Sequence, residues 1–174
     1  MNITGGTYNR HKVIAPDENI TRPTLSKVRM SIFNVLNSLM NFEGKSFLDM
    51  YAGSGIMGLE ALSRGFEKIV AIEKNKKAYN VIKSNFEKFP NKNLHLILGD
   101  SLKICSKCGQ FDAIYIDPPY FSGIYEESLQ VIKNTAAGIV ILEHVTDIDL
   151  PEYFEVIKQK KYSDKYVTFL KKIA

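Results

Sequence analysis

Asp117-Pro118-Pro119-Tyr120 unites, in consecutive positions, a carboxylate, two rings that fix the backbone and an aromatic face. Each proline removes an N–H donor and locks φ, so the local carbonyls remain as fixed acceptors. An exocyclic amine on a planar base carries two hydrogens and a lone pair delocalised into its ring. The Asp117 carboxylate and the Pro118 carbonyl can accept those hydrogens and favour a pyramidal nitrogen, which turns the lone pair toward an electrophile. Tyr120 can stack on the base, an interaction worth roughly 1–3 kcal/mol and indifferent to base identity. Such a site works through positioning and electrostatics, with no nucleophilic side chain and no metal. In isolation the tetrapeptide is equally a stiff strand-to-loop turn.

The run Asp49-Met50-Tyr51-Ala52-Gly53-Ser54-Gly55, followed by Gly58, can bring a ligand against bare backbone, because glycines let a strand turn sharply into a helix. A Walker-type phosphate loop needs a terminal Gly-Lys-Ser/Thr, and no lysine lies between Lys45 and Lys68. Gly53, Gly55 and Gly58 do satisfy G-x-G-x-x-G, so spacing alone leaves a dinucleotide open. Asp49 weighs against it: a carboxylate there repels a pyrophosphate and attracts the ammonium of a methionine moiety, which points to S-adenosylmethionine. Glu73 can accept hydrogen bonds from ribose hydroxyls, and Asp100-Ser101 stand at the height of an adenine amine. Aspartate and serine also cap helices. Acids at three successive strand ends nevertheless match the carboxyl edge where open parallel sheets bind ligands. The candidate cofactor residues are Asp49, Tyr51, Ala52, Gly53, Gly55, Glu73, Lys74, Asp100 and Ser101.

Strands and helices must position these groups. Apolar runs at 47–50, 68–73, 94–99, 113–117 and 138–143 have the length and Ile, Val, Leu or Phe content of buried strands. Between them, Gly53 to Ser63 reads as a helix, and Asn75 caps another whose Ala78, Ile82, Phe86 and Phe89 recur at helical spacing. Runs 154–161 and 165–171, separated by Tyr162, Ser163 and Asp164, predict an antiparallel hairpin. Upstream, Thr24 is the expected cap of a helix with the stripe Leu25, Val28, Ile32, Val35 and Leu39, and residues 3–14 read as a small hairpin around Gly5-Gly6. The expected fold is α/β: a Rossmann-like, three-layer sandwich with a mostly parallel seven-stranded sheet ending in the antiparallel hairpin. A single domain of 174 residues is expected, with 1–42 an N-terminal extension and 43–174 the core.

The formal charge of +4 is mild but uneven. Arg10, Lys12, Arg22, Lys27 and Arg29 face only Asp17 and Glu18 in the first thirty residues, and Lys158, Lys160, Lys161, Lys165, Lys171 and Lys172 crowd the last twenty. A solvated face and a nucleic-acid surface explain this equally well. Cys105 and Cys108 form a CxxC without a second Cys/His pair, so no metal is expected. With no membrane span or signal-like segment, the cytoplasm is the expected compartment. Glu143-His144 ends the fifth strand as a possible acid–base pair, although amine attack needs no early general base.

With these motifs in view, the chain resembles the class I methyltransferases and, within them, the RsmD family, which methylates the guanine exocyclic amine N2 in small-subunit (16S) ribosomal RNA. The likeness spans nearly the whole length. Besides the core motifs it includes Gly5-Gly6, Arg22-Pro23-Thr24 with Val28-Arg29 and Phe33-Asn34, and Gly58-Leu59-Glu60-Ala61-Leu62-Ser63-Arg64-Gly65. The resemblance implies S-adenosylmethionine as cofactor at Asp49, Gly53, Glu73 and Asp100, guanine held by residues 117–120, and RNA met by the basic N-terminal segment. Arg10, Lys12, Arg22 and Arg29 are the expected RNA contacts, on a small ribosomal subunit or its assembly intermediate, with the enzyme a monomer. This chain departs from the family's Arg-Gly-Arg-like run, reading Tyr8-Asn9-Arg10-His11-Lys12, so the positive charge survives while the pairing of residues with phosphates stays open. Two other functions share these features: adenine-N6 methylation of DNA or another RNA, and a non-catalytic RNA-binding module. Enzymes acting on duplex DNA generally carry an extra segment to flip the base, for which 174 residues leave little room. Intact cofactor and target motifs weigh against the binding module.

Overall fold

A computed structural model describes residues 1–20, 24–119 and 123–173. Arg22 and Tyr120, both expected site residues, lie outside the described residues. In chain order the elements are α1 (Ser26–Leu39), β1 (Ser46–Asp49), α2 (Ile56–Arg64), β2 (Lys68–Glu73), α3 (Lys76–Phe86), β3 (Leu94–Leu98), α4 (Ser101–Ile104) with a 3-10 turn at Cys105–Lys107, β4 (Phe111–Ile116), α5 (Ile124–Val131), β5 (Ala136–His144), β6 (Phe154–Tyr162) and β7 (Lys165–Lys172).

Seven strands form one sheet in the order β3-β2-β1-β4-β5-β7-β6. The first five are mutually parallel, and β7 enters antiparallel to both β5 and β6. Parallel strands buried on both faces need apolar residues at every position. Phe47, Ala113 and Tyr115 accordingly join the core under α1, α2 and α3, while Leu48, Ile114 and Ile116 join the one under α5. The expected three-layer sandwich is thus realised. No helix was expected between β4 and β5, yet a parallel pair requires a crossover, and α5 supplies it while burying Ile124, Tyr125 and Leu129.

One local expectation at the N-terminal end needs correction. The residue preceding α1 is Leu25, which makes no side-chain cap and is 72% exposed; the Thr24 hydroxyl lies instead 3.3 Å from the Tyr115 hydroxyl. The expected small hairpin is present: Ile3 N–H donates to His11 O at 3.0 Å, Arg10 N–H to Ile3 O at 2.8 Å and Val13 N–H to Met1 O at 2.8 Å, with a bridge between Asn2 and Lys12, and its tip is bonded to α2. Thr7 N–H donates to Ser63 O at 2.7 Å, Tyr8 N–H to Ser63 Oγ at 2.8 Å, and Thr4 N–H to the Glu60 carboxylate at 3.0 and 3.1 Å. Ile3 and Val13 are thereby buried in the core. Gly6 has φ of +77°, and a Cβ there would lie 1.9 Å from Ser63 O. Gly6→Ala is expected to cost about 1–3 kcal/mol, read as a lower urea midpoint at unchanged m-value. An unaltered midpoint would mean that this reversal lifts off α2 without penalty. Among the described residues no helix is long and apolar enough to cross a membrane.

Candidate active site

The strand order reverses between β1 and β4, so the connections leaving their carboxyl ends diverge and open a crevice, the usual ligand position in open α/β sheets. Asp49 ends β1 in register with Tyr115, which places Asp117 just beyond, on the neighbouring strand. Asp49 is 1% exposed, and neither of its oxygens has a hydrogen-bond partner. A buried carboxylate left in this state is strongly disfavoured as an anion. Its pKa is accordingly raised well above the ordinary carboxylate range, by burial first, then by the charges of Glu73 and Asp117; the Tyr51 amide pulls the other way from outside hydrogen-bonding geometry. A cation delivered by a ligand would reverse this penalty.

The loop after β1 is built to admit such a ligand. Ala52 N–H donates to Ile72 O at 2.9 Å and Gly55 N–H to Ala52 O at 2.8 Å, closing a tight turn. Gly55, at φ +77°, enters α2 where a Cβ would meet Ile82 Cγ2 at 2.8 Å, so no larger residue fits without displacing α3. Glu73 accepts from Gly53 N–H and Asn75 N–H, each at 2.8 Å, which orients its carboxylate and leaves lone pairs for a diol. Tyr51 reaches across to α5: Ser128 Oγ donates to Ile124 O, so the Tyr51 hydroxyl donates to Ser128 Oγ at 2.7 Å. Burial pushes the Tyr51 phenol up to about 12.

Asp100 does cap α4, accepting from Leu102 N–H at 3.0 Å through Oδ1, while Oδ2 lies 3.8 Å from Lys74 Nζ. Lys74 thus stands beside Asp100 and is largely exposed. Ser101 is buried and its hydroxyl donates to Met50 O, which ties the start of α4 to the loop after β1.

Asp117 leaves β4 next to buried Pro118 and exposed Pro119. Its pKa is pushed up to about 7, by burial first and Glu143 second, with Lys165 opposing. Glu143, fully buried at the end of β5, accepts from the Tyr115 hydroxyl and from Lys165 Nζ, the latter at 2.6 Å. Because the Tyr115 proton points to Glu143, the Thr24 hydroxyl must donate to Tyr115.

The basic residues divide. Arg10 and Lys12 are exposed on the N-terminal reversal. Arg29, expected to meet RNA, is 2% exposed: its Nε donates to Glu60 Oε1 at 3.0 Å, its Nη2 to Asn2 O at 2.8 Å and its Nη1 to Thr24 O. Three of its five donors are engaged inside the protein and almost none of its surface reaches solvent, so its expected RNA contact is withdrawn. Glu60 also binds the Thr4 hydroxyl at 2.9 Å and the guanidinium of Arg64.

Residues 1–171 match the model of a family described as Conserved hypothetical protein 95. The chain belongs to that family. Conserved hypothetical protein 95 is the RsmD family indicated by the motifs. YlbH of Bacillus subtilis (strain 168) is 32% identical over 161 residues, covering 87% of this chain and 86% of that protein. Ribosomal RNA small subunit methyltransferase D of Escherichia coli (strain K12) is 28% identical over 156 residues, 87% of this chain and 78% of its own. The solved structure of yhhF from Escherichia coli superposes with a TM-score of 0.88 at 22% identity, covering 99% of this chain and 97% of that one. In this member of Conserved hypothetical protein 95, the segment from Gly58 to Gly65 contributes Glu60, Ser63 and Arg64 to the clamp on the N-terminal residues. Lys165 was missed as a site residue. Its sequence neighbourhood is an ordinary basic hairpin, and only the antiparallel entry of β7 beside β5 brings it to Asp117.

Proposed function

We propose that this chain is an S-adenosylmethionine-dependent ribosomal RNA methyltransferase that modifies the exocyclic N2 amine of a guanine in small-subunit RNA. The reading is carried by two carboxylates at adjacent strand ends, buried Asp49 without any hydrogen-bond partner and half-buried Asp117 beside two prolines. Membership of the RsmD family supports ribosomal RNA as the substrate class. The residues present fit the cofactor. Asp49 would hold its ammonium group, Glu73 its ribose hydroxyls, and Asp100 with Lys74 would flank its adenine. Bound there, S-adenosylmethionine supplies an electrophilic methyl group on its sulfonium.

The protein's own part is to present the amine. Asp117 and the Pro118 carbonyl accept the two amine hydrogens, and Tyr120 stacks on the base. With its pKa near 7, Asp117 can also take the proton that the methylated nitrogen sheds. Arg10, Lys12 and Arg22 meet RNA phosphates, and the enzyme works as a cytoplasmic monomer on the small ribosomal subunit or an assembly intermediate.

Asp49→Asn is expected to separate binding from stability. Cofactor affinity should fall roughly 10- to 100-fold, the worth of a hydrogen bond to a charged group, while the ligand-free protein gains about 1–2 kcal/mol. Because the folded pKa of Asp49 is raised, the stability tied to its protonation is complete below the ordinary carboxylate value and is lost as pH rises through the raised one. The gap between variant and wild type should therefore widen from acid to neutral pH, as urea melts and calorimetric titrations of cofactor can measure. A variant less stable than wild type at neutral pH would show that Asp49 is satisfied without ligand.

Transfer of labelled methyl groups to naked ribosomal RNA, small subunits and DNA, followed by nucleoside digestion, tests the whole reading. Label recovered as N2-methylguanosine from ribosomal RNA is the expected result. Label confined to DNA, or recovered as N6-methyladenosine, overturns it.

A further inference from the structure

Lys165 begins β7, opposite Tyr162 across the hairpin turn. Since β6 runs parallel to β5, that turn lies at the carboxyl edge of the sheet, level with Asp117. Lys165 Nζ is 2.6 Å from Glu143 Oε2 and 3.6 Å from Asp117 Oδ1, with side-chain exposures of 22% for the lysine, 0% for Glu143 and 16% for Asp117. The groups that face Asp117 come from four strands: Asp49 on β1, Tyr115 on β4, Glu143 on β5 and Lys165 on β7. Asp49 and Glu143 oppose a further negative charge there, and the Tyr115 proton is directed at Glu143. Lys165 acts against them.

We infer that Lys165 is a positioning residue that keeps Asp117 an oriented anion, ready to accept the hydrogens of the target amine. The chemical need is direct. A protonated Asp117 would present an O–H where the amine requires an acceptor, setting donor against donor. The shorter contact to Glu143 holds the ammonium in place, and Tyr115 in turn holds Glu143. Glu143 thus has opposed effects: it anchors the cation and it raises the pKa of Asp117 by its own charge. This inference rests on the reading of Asp117 as the amine acceptor.

The charge balance can be measured without substrate or cofactor, by carbon-13 carboxyl titration of the full chain, with Asp117→Asn identifying the resonance. In the wild type Asp117 should titrate near 7. Lys165→Gln should move that titration up by about 1–3 pH units, since a close opposite charge lowers a carboxyl by that amount. Glu143→Gln should move it down, the double variant should return toward the wild type, and Lys165→Arg should stay close to it. In turnover with ribosomal RNA, the acid limb of kcat should shift with the titration. Lys165→Gln should lose roughly tenfold or more near pH 7 and recover in alkaline buffer, with KM for cofactor little changed.

If Lys165→Gln does not fold, Lys165→Met, which keeps the length of the side chain without its charge, carries the test through the same upward shift. An Asp117 titration indifferent to substitution of Lys165 and of Glu143, or a kcat loss equal at every pH, overturns the inference. A wild type that methylates no ribosomal RNA, while the titrations move as stated, overturns the proposed function and leaves the control of Asp117 by Lys165 intact.

Discussion

Asp117→Ala should lower kcat on the order of 10²- to 10³-fold, the loss seen when one preorganised electrostatic partner of a reacting group is removed, while cofactor affinity stays within about threefold. The asymmetry follows from position. Asp117 follows β4, apart from the loop and strand ends on β1, β2 and α4 that we propose hold the cofactor. Removing Asp117 also takes one negative charge away from Asp49, which partly offsets any loss of cofactor binding. The pH dependence should confirm the assignment. The pKa of Asp117 rises from about 3.8 to about 7 on folding, so protonation favours the fold over that interval and disfavours catalysis. Turnover should thus climb through pH 7 while the contribution of this group to stability declines over the same range. Single-turnover rates and calorimetric cofactor titrations check both halves. Normal turnover by Asp117→Ala would show that another group holds the amine.

Arg29→Ala should destabilise the protein by about 3–5 kcal/mol, the cost of leaving a buried partner charge uncompensated. The partner is Glu60, fully buried, which among the described residues would keep only Arg64 as a cation and the Thr4 groups as donors. At roughly 2–4 °C per kcal/mol for a domain of this size, the melting temperature should fall by on the order of 10 °C. Arg29→Lys should not restore it, because a single ammonium cannot reach Glu60, Thr24 O and Asn2 O together. Below the melting transition, the salt slope of RNA binding should match the wild type, since no phosphate contact has been removed. A stable variant with a shallower slope would return Arg29 to the RNA surface.

Arg29 also shows where sequence reading stops. Its place in a basic N-terminal stretch suggested an outward role, and nothing local reveals that a carboxylate on α2, Glu60, lies beneath it. The strands of the sheet were far more legible, because burial on both faces forces unbroken apolar runs such as Lys68–Glu73, and acids at their ends stand out by contrast. The Asn75 cap, which accepts from Ala78 N–H at 3.0 Å, was equally plain from local chemistry. Contacts made by residues distant in sequence were not. Lys165 meets Glu143 and Asp117 only through strand order, and Ser63 receives the N-terminal backbone only through tertiary packing. The shortness of α5, at eight residues, hid it, although the parallel pairing of β4 and β5 demanded a crossover.

The insertion of β7 between β5 and β6 also orders the making of this enzyme in time. During synthesis the glycine loop, the paired prolines and the β1–β4–β5 sheet all emerge before the hairpin, and contacts between such distant segments form late and slowly. Until β7 docks, β5 keeps an open edge, and Asp117 and Glu143 face each other without Lys165. A nascent chain at that stage can already possess its cofactor loop and still lack the cation beside Asp117. The hairpin thus closes the sheet and completes the charge balance around Asp117 in the same step.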